Sequence, residues 1–352
     1  MFLPQGTLVK SLKKYVLRSN RLGSINYMTN NPIVSVIIPV FKVELFAERC
    51  AKSLMEQDLP DVEFIFVDDA SPDGSMEIIR RVCGEYDRDV KFLTHEVNKG
   101  LPAARNTGLA AASGDFIYHC DSDDYLEPTL LKDLYEAAIK EGADFAYCDF
   151  YLDFGTSKRY MANPDFTDPE RMIKEGFLAG TMKYNVWNKL VKKDLYNQIT
   201  FPEGHPMGED MTMIAVAMGA TRCVHVPKAL YHYMRTNSEA YTSALSQRRL
   251  DDIRSNVSRT MDFLATWDVE DKDRFLEYFK LSIKLPFLFS GDKGQYKLWE
   301  EWYPEANKYI DSVPYIPQRT KMVQQWARDG KFLMVRLYSF AVNKIYYKLV
   351  RH

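Results

Sequence analysis

The chain has 352 residues, which favours one large domain plus an appendage, since single cores stop growing at about 250 to 300 residues. Its five cysteines, Cys50, Cys83, Cys120, Cys148 and Cys223, are odd in number and lack C-x-x-C spacing, which excludes a disulfide framework or zinc site and fits a reducing compartment. No apolar run approaches the roughly 18 residues of a spanning helix, no signal peptide is expected, and a net charge of −2 over an acidic body argues against a nucleic-acid partner.

From Val34 onward short apolar runs alternate with amphipathic ones. Val34 to Val40 reads as a buried strand, followed by a helix from Leu45 to Leu54. Glu63 to Val67 is a second strand ending in Asp68-Asp69, and Asp73-Gly74-Ser75 opens a helix through Ile78, Ile79 and Val82. A third strand lies around Val90 to Leu93, an alanine-rich helix runs from Arg105 to Ala112, and Phe116 to Cys120 is a fourth strand. Leu130 to Ile139 is helical, and Ala143 to Cys148 is a fifth strand. Strands and helices alternating at this length imply βαβ units and a mostly parallel sheet covered on both faces. Ligands of such sheets gather at the carboxyl ends of the strands, where Asp68, Asp69 and the run Asp121-Ser122-Asp123-Asp124 all fall.

Three acids within four residues repel one another, and a hard divalent cation such as Mg²⁺ or Mn²⁺ turns that repulsion to use. An acidic turn capping the next helix is the competing reading.

Four stretches together resemble one family: Ser35-Val36-Ile37-Ile38-Pro39-Val40-Phe41, Val67-Asp68-Asp69-Ala70-Ser71-Pro72-Asp73-Gly74-Ser75, Asn98-Lys99-Gly100-Leu101-Pro102-Ala103-Ala104-Arg105-Asn106-Thr107-Gly108, and Asp121-Ser122-Asp123-Asp124. Their order and spacing are similar to glycosyltransferase family 2, of the GT-A fold, over about residues 32 to 240. The resemblance implies a Rossmann-like, mostly parallel α/β sheet flanked by helices, with a mainly helical C-terminal extension. It also implies inverting transfer from a nucleoside-diphosphate sugar to a glycan or lipid-linked acceptor. Asp123 matches the family's metal position, with Asp121 nearer the ribose or the metal's water shell, and Asp124 is open to capping the helix near Pro128. Asp69, with Asp68 beside it, matches the acid that reads the base, and Pro39 the turn over which the base lies. Arg105 offers a cationic fork for nucleotide or phosphate, or is a helix-surface arginine.

The resemblance extends to Gly208-Glu209-Asp210, where Asp210 is the expected general base and Glu209 its orienting or acceptor-binding neighbour. Helix capping is an equally available role there. Lys189, in Trp187-Asn188-Lys189-Leu190-Val191, is expected near the diphosphate or acceptor. In Tyr231-His232-Tyr233-Met234-Arg235, His232 could add a metal ligand and Arg235 could meet the diphosphate. His95, His119, His205, His225 and His352 have no spacing that argues for metal.

Residues 1–30 and 331–352 each hold five Lys or Arg and no acid, so the rest of the chain carries −12. Met334, Val335, Tyr338, Val342, Ile345, Tyr346 and Leu349 share one side of a helical wheel, opposite Arg336, Lys344, Lys348 and Arg351. Leu8, Leu12, Tyr15 and Val16 form a smaller stripe. Such ends suit an anionic membrane surface, the protein's own core, or another subunit of an oligomer.

The expected organisation is a basic amphipathic segment at 1–30 and a catalytic domain at 31–240, with nucleotide-sugar half 31–125 and acceptor half 126–240. A helical region with a basic tail follows at 241–352. The expected enzyme is a metal-dependent glycosyltransferase using Mn²⁺ or Mg²⁺, cytoplasmic and peripheral on the inner face of the cell membrane, in surface polysaccharide synthesis. A nucleotidyltransferase is disfavoured because Pro39-Val40-Phe41-Lys42 replaces a Gly-rich, Lys-bearing phosphate loop. A non-catalytic nucleotide-sugar-binding or scaffold protein on the same fold is the other alternative.

Overall fold

The computed structural model describes residues 32–237, 246–290 and 292–342. The basic stripe at 1–30 and the tail from 343 lie outside the described residues.

Four strands, β1 (Val34–Val40), β2 (Val62–Asp68), β3 (Asp89–Thr94) and β4 (Phe116–His119), form a parallel half-sheet in the order β3-β2-β1-β4. They are joined by α1 (Glu44–Met55), α2 (Ser75–Cys83) and α3 (Leu101–Ala111). Every residue of β1 is buried, as a strand covered on both faces requires. Helix α3 starts four residues before the expected Arg105 because Pro102 sits in its first turn, where a missing N–H costs nothing.

Beyond β4 the pairing changes. The chain continues through β5 (Tyr125–Leu126), α4 (Leu130–Glu141), β6 (Phe145–Asp153), β7 (Lys158–Met161), α5 (Pro169–Arg171), β8 (Lys189–Lys192), α6 (Thr212–Met218) and β9 (Cys223–Met234). Strand β8 lies antiparallel between β4 and β6, and β9 runs parallel to β6 and antiparallel to β5. The result is one nine-stranded sheet among the described residues, flanked by helices as the α/β reading requires.

A helical region follows as expected: α7 (Gln247–Ala265), α8 (Lys272–Lys284), α9 (Lys293–Glu301), α10 (Gln318–Arg328) and α11 (Phe332–Phe340). Phe279, Leu288, Trp299, Val323 and Val335 are its buried centre. Lys284, fully buried there, donates to the carbonyls of Trp299, Trp302 and Tyr303. Among the described residues no helix is long and apolar enough to cross a membrane.

The tail helix packs part of the expected stripe on the protein's own core, one of the three partners open to it. Val335 is buried against the protein, Ser339 donates to Leu288 O, and Tyr338 meets Trp326 edge-on. The apolar residues left outside are Leu333, Met334, Leu337 and Phe340, 44–69% exposed. Helix α11 is apolar on two sides, so the wheel's Val335–Tyr338 side packs inward.

One close approach positions the site. A Cβ on Gly108 of α3 would lie 2.3 Å from Ile37 Cγ2 of β1, so only glycine lets this helix rest on the sheet. Arg105 is one turn earlier on the same face. Gly108→Ala is therefore expected to lower stability by about 1–3 kcal/mol through overpacking, although alanine is the better helix former. Urea unfolding measures this, and a variant as stable as the parent would contradict the contact.

Candidate active site

The carboxyl ends of β1, β2 and β3 bring the first cluster together. Asp69 N–H donates to Val40 O, and the Asp69 side chain, 3% exposed, accepts from Lys99 N (2.8 Å), Gly100 N (2.7 Å) and His95 Nδ1 (2.7 Å). The other nitrogen of His95 meets Thr107 Oγ1 at 2.9 Å. Rather than standing free for a base edge, Asp69 fastens the loop into α3, where Gly100 needs φ +89. Asp68 accepts from Ser71 N at 2.8 Å and so fixes the turn at Ala70, whose φ is +56. Pro39 is buried within β1, and Phe41, 39% exposed, is the side chain that reaches the rim. His95 was not singled out by motif. Strand register finds it, because Asp68 pairs with Thr94 and the next residues along are Asp69 and His95.

Arg105 is 1% exposed, so it is no helix-surface arginine. Its Nη2 donates to Asp121 Oδ1 at 2.8 Å and its Nε to Glu209 Oε1 at 3.2 Å, while Nη1 and Glu209 Oε2 are buried without partners. Burial opposes the guanidinium charge, but Glu209 and Asp121 together outweigh it and hold Arg105 protonated. Burial pushes Glu209 up to about 8, against the pull of Arg105, because that cation is shared and Asp210 and Asp121 add negative charge. Asp210 is partly exposed and also raised, chiefly by burial, with Arg105, Lys189 and Lys183 opposing. Neither acid caps α6: Gly208 takes the left-handed turn at φ +84, and no side chain closes the helix start. The arrangement leaves one carboxylate engaged with Arg105 and its neighbour open beside it.

In the acidic run, Asp124 is fully buried and accepts from Tyr231 OH and Met234 N, both at 2.7 Å. It ties the loop to β9 instead of capping α4, because β9 offers two donors inside the core. Asp121 turns to Arg105, and Asp123 Oδ2 accepts from Asn237 Nδ2 at 2.9 Å. The surroundings of Asp123 fit a divalent cation. Burial and the Asp121 charge push its carboxyl up, a repulsion that a cation would relieve. Among the described residues no three His, Cys, Asp or Glu side chains gather to hold a metal. One or two carboxylates with phosphate and water oxygens is the usual Mg²⁺ arrangement.

Two expected contacts are corrected. Lys189 is 1% exposed and its three N–H groups donate to Asn185 O (2.6 Å), Asn188 Oδ1 (2.7 Å) and Lys183 O (3.1 Å), so none is left for a diphosphate. Burial lowers it to about 7, against the Asp210 charge, and its work is to shape the 183–188 loop. His232 stacks between Tyr125 and Tyr151, with centroids 4.2 and 5.0 Å away, and its Nε2 lies 2.7 Å from Glu127 Oε1. Held in that stack, it joins no ligand group with Asp121 or Asp123. Arg235 is exposed at the end of β9, its guanidinium 5.6 Å from the Tyr233 ring.

The sequence profile described as Glycosyl transferase family 2 matches residues 35–213. The chain is 32% identical over 232 residues to the "Uncharacterized glycosyltransferase EpsJ" of Bacillus subtilis, covering 63% of this chain and 66% of that protein. It is 26% identical over 274 residues to the GalNAc(5)-diNAcBac-PP-undecaprenol beta-1,3-glucosyltransferase of Campylobacter jejuni, covering 76% and 86%. The fold is similar to S. aureus TarS 1-349 in complex with UDP-GlcNAc, with a TM-score of 0.62 at 21% identity over 88% of this chain and 91% of that one.

Lys189→Met removes an ammonium from three oxygens, so a loss of about 1–3 kcal/mol is expected from the groups left unsatisfied. Nucleoside-diphosphate affinity should stay within about twofold, since no N–H faces outward. Thermal unfolding and isothermal titration separate the two, and a loss of affinity without a loss of stability would return Lys189 to the ligand.

Proposed function

The chain belongs to glycosyl transferase family 2, and we propose that it is an inverting, metal-dependent transferase. On this reading it moves a sugar from a nucleoside diphosphate to a hydroxyl of a glycan or lipid-linked acceptor, in bacterial surface polysaccharide assembly. The observation that carries the reading is the buried Arg105 bridging Asp121 and Glu209 with Asp210 open beside it. Two segments far apart in sequence supply those acids and a third supplies the arginine, and Asp121 follows the parallel strand β4, at the edge where α/β enzymes bind their ligands. We assign residues 31–125 to the donor half, 126–240 to the acceptor half and 241–352 to the helical region.

Two demands define the chemistry: the acceptor hydroxyl must lose a proton and the departing diphosphate gains charge. Asp210 takes the proton. Its raised carboxyl is a better base near neutrality than an ordinary aspartate. Glu209 holds Arg105, and Arg105 in turn orients Asp121. Asp68 and Asp69 shape the loops around the nucleotide base, with Phe41 at the rim and Arg235, exposed at the end of β9, available to the diphosphate. Asp123 with Asp121 would hold Mn²⁺ or Mg²⁺, which when bound neutralises the leaving diphosphate.

Release of nucleoside diphosphate from a panel of nucleotide sugars, with and without Mn²⁺, tests the reading. Asp210→Asn should lower turnover by roughly 10²-fold or more while donor affinity persists; near-normal turnover would remove it as the base. Asp123→Ala should abolish the part of nucleoside-diphosphate affinity that depends on Mn²⁺, measured by titration. Release from no donor, with binding intact, would leave a non-catalytic binding protein.

The protein is further proposed to sit on the inner membrane face through α11. Leu333, Met334, Leu337 and Phe340 are exposed there, and the surrounding 331–352 stretch has five cations and no acid. Each cation near an anionic surface adds about 1 kcal/mol, giving a reversible, salt-sensitive attachment. Deleting the tail from 331 would also remove Val335 and Ser339 from the core, so substitution is the cleaner test. Joint replacement of Leu333, Leu337 and Phe340 by serine should release the protein from phosphatidylglycerol vesicles in co-sedimentation. Equal sedimentation of parent and variant, or equal binding to neutral vesicles, would end the membrane assignment.

A further inference from the structure

A cleft of about 340 Å³ lies where the catalytic half meets the helical region. One wall is the segment from Phe177 to Tyr184, which leads into the loop shaped by Lys189. The other wall comes from α8, through Tyr278 and Ser282, and from the stretch 313–324, through Tyr315 and Gln324. The two walls approach closely: a Cβ on Gly180, whose φ is +79, would sit 3.0 Å from Ser282 Cβ.

Three properties of this cleft point to a ligand. First, Gln324 is 2% exposed and its Oε1 has no hydrogen-bond partner, an unmet demand that folded proteins rarely leave standing. Second, the lining is mostly uncharged, with aromatic rings among aliphatic side chains. Tyr184, Tyr278 and Tyr315 contribute rings, and among the described residues no acid takes part and solvent-exposed Lys183 is the one ionic side chain in it. Rings beside amide and hydroxyl groups suit a sugar, whose C–H face packs on an aromatic surface while its hydroxyls need both donors and acceptors. Third, one wall of the cleft turns toward the chemistry, since the Lys183 carbonyl near its end accepts from Lys189. Lys183 and Tyr184 line the cleft, and both lie within the electrostatic reach of Asp210.

We infer that this cleft is a carbohydrate subsite for the acceptor, holding a glycosyl unit beyond the one whose hydroxyl is attacked, with Gln324 accepting from a sugar hydroxyl and Tyr315 packing on the ring. The inference rests on Asp210 as the proton acceptor, since that end of the cleft sets the direction from which the acceptor enters. The helical region is then part of the specificity machinery. Its volume falls within the range of about 300–1,000 Å³ usual for small-ligand sites.

The test uses the full chain and saturation-transfer difference NMR. The probes are methyl β-glycosides of glucose, galactose and N-acetylglucosamine with their β-linked disaccharides, and UDP and GDP are recorded in parallel. At least one glycoside should give transfer signals with the parent protein. Those signals should fall at least fivefold in Gln324→Leu and in Tyr315→Ala, while nucleotide signals and donor hydrolysis stay at parental levels. Tyr315 is 41% exposed, so its replacement keeps the test valid even where Gln324→Leu folds poorly. Nucleotide binding with no glycoside signal, or glycoside signals unchanged in both variants, overturns the subsite and leaves the transferase reading in place. Absence of both nucleotide and glycoside signals overturns the two together.

Discussion

The site depends on keeping a guanidinium out of water. Arg105 is buried midway along α3, and two carboxylates from segments 16 and 104 residues away close on it. Neither acid is free to move: removing one partner of a buried pair leaves an uncompensated charge and costs about 3–5 kcal/mol. The acidic loop after β4, the glycine turn before α6 and helix α3 are therefore fixed relative to one another by one side chain. That makes the geometry around Asp210 a property of the fold rather than of a mobile loop. The Gly108 contact sets how near α3 can lie to the sheet, and so how far Arg105 can reach.

The parallel half was legible because its rules are local. A run such as Val34 to Val40, buried throughout, can only be an interior strand, and acids following such strands land on one edge. The second half resisted reading. β5, with two residues, and β7 and β8, with four each, are too short to carry a periodic signal. β8 enters the sheet antiparallel between β4 and β6, which no pattern in Lys189–Lys192 announces.

The site residues divide along the same line. Asp121 and Arg105 come together, with Asp123 next to Asp121, whereas Lys189 and His232 do not stand free, because other groups already hold them. Lys189 is enclosed by carbonyls of its own loop, and His232 by two tyrosines and Glu127. Motif reading names residue types, and it is blind to which of them the core has already used. His95 is the converse: invisible as a motif, it follows at once from strand register.

The cleft between the two halves has a further consequence for how such chains diverge. Its Phe177–Tyr184 wall lies within the 35–213 span matched by the family profile, and its Tyr278–Gln324 wall lies outside it. Opposing surfaces in near contact, as at Gly180 and Ser282, cannot drift independently. Change on one side must be answered by compensating change on the other. Coupled substitution across this seam would be the evolutionary trace of a change in acceptor, visible while the donor edge of the sheet stays the same.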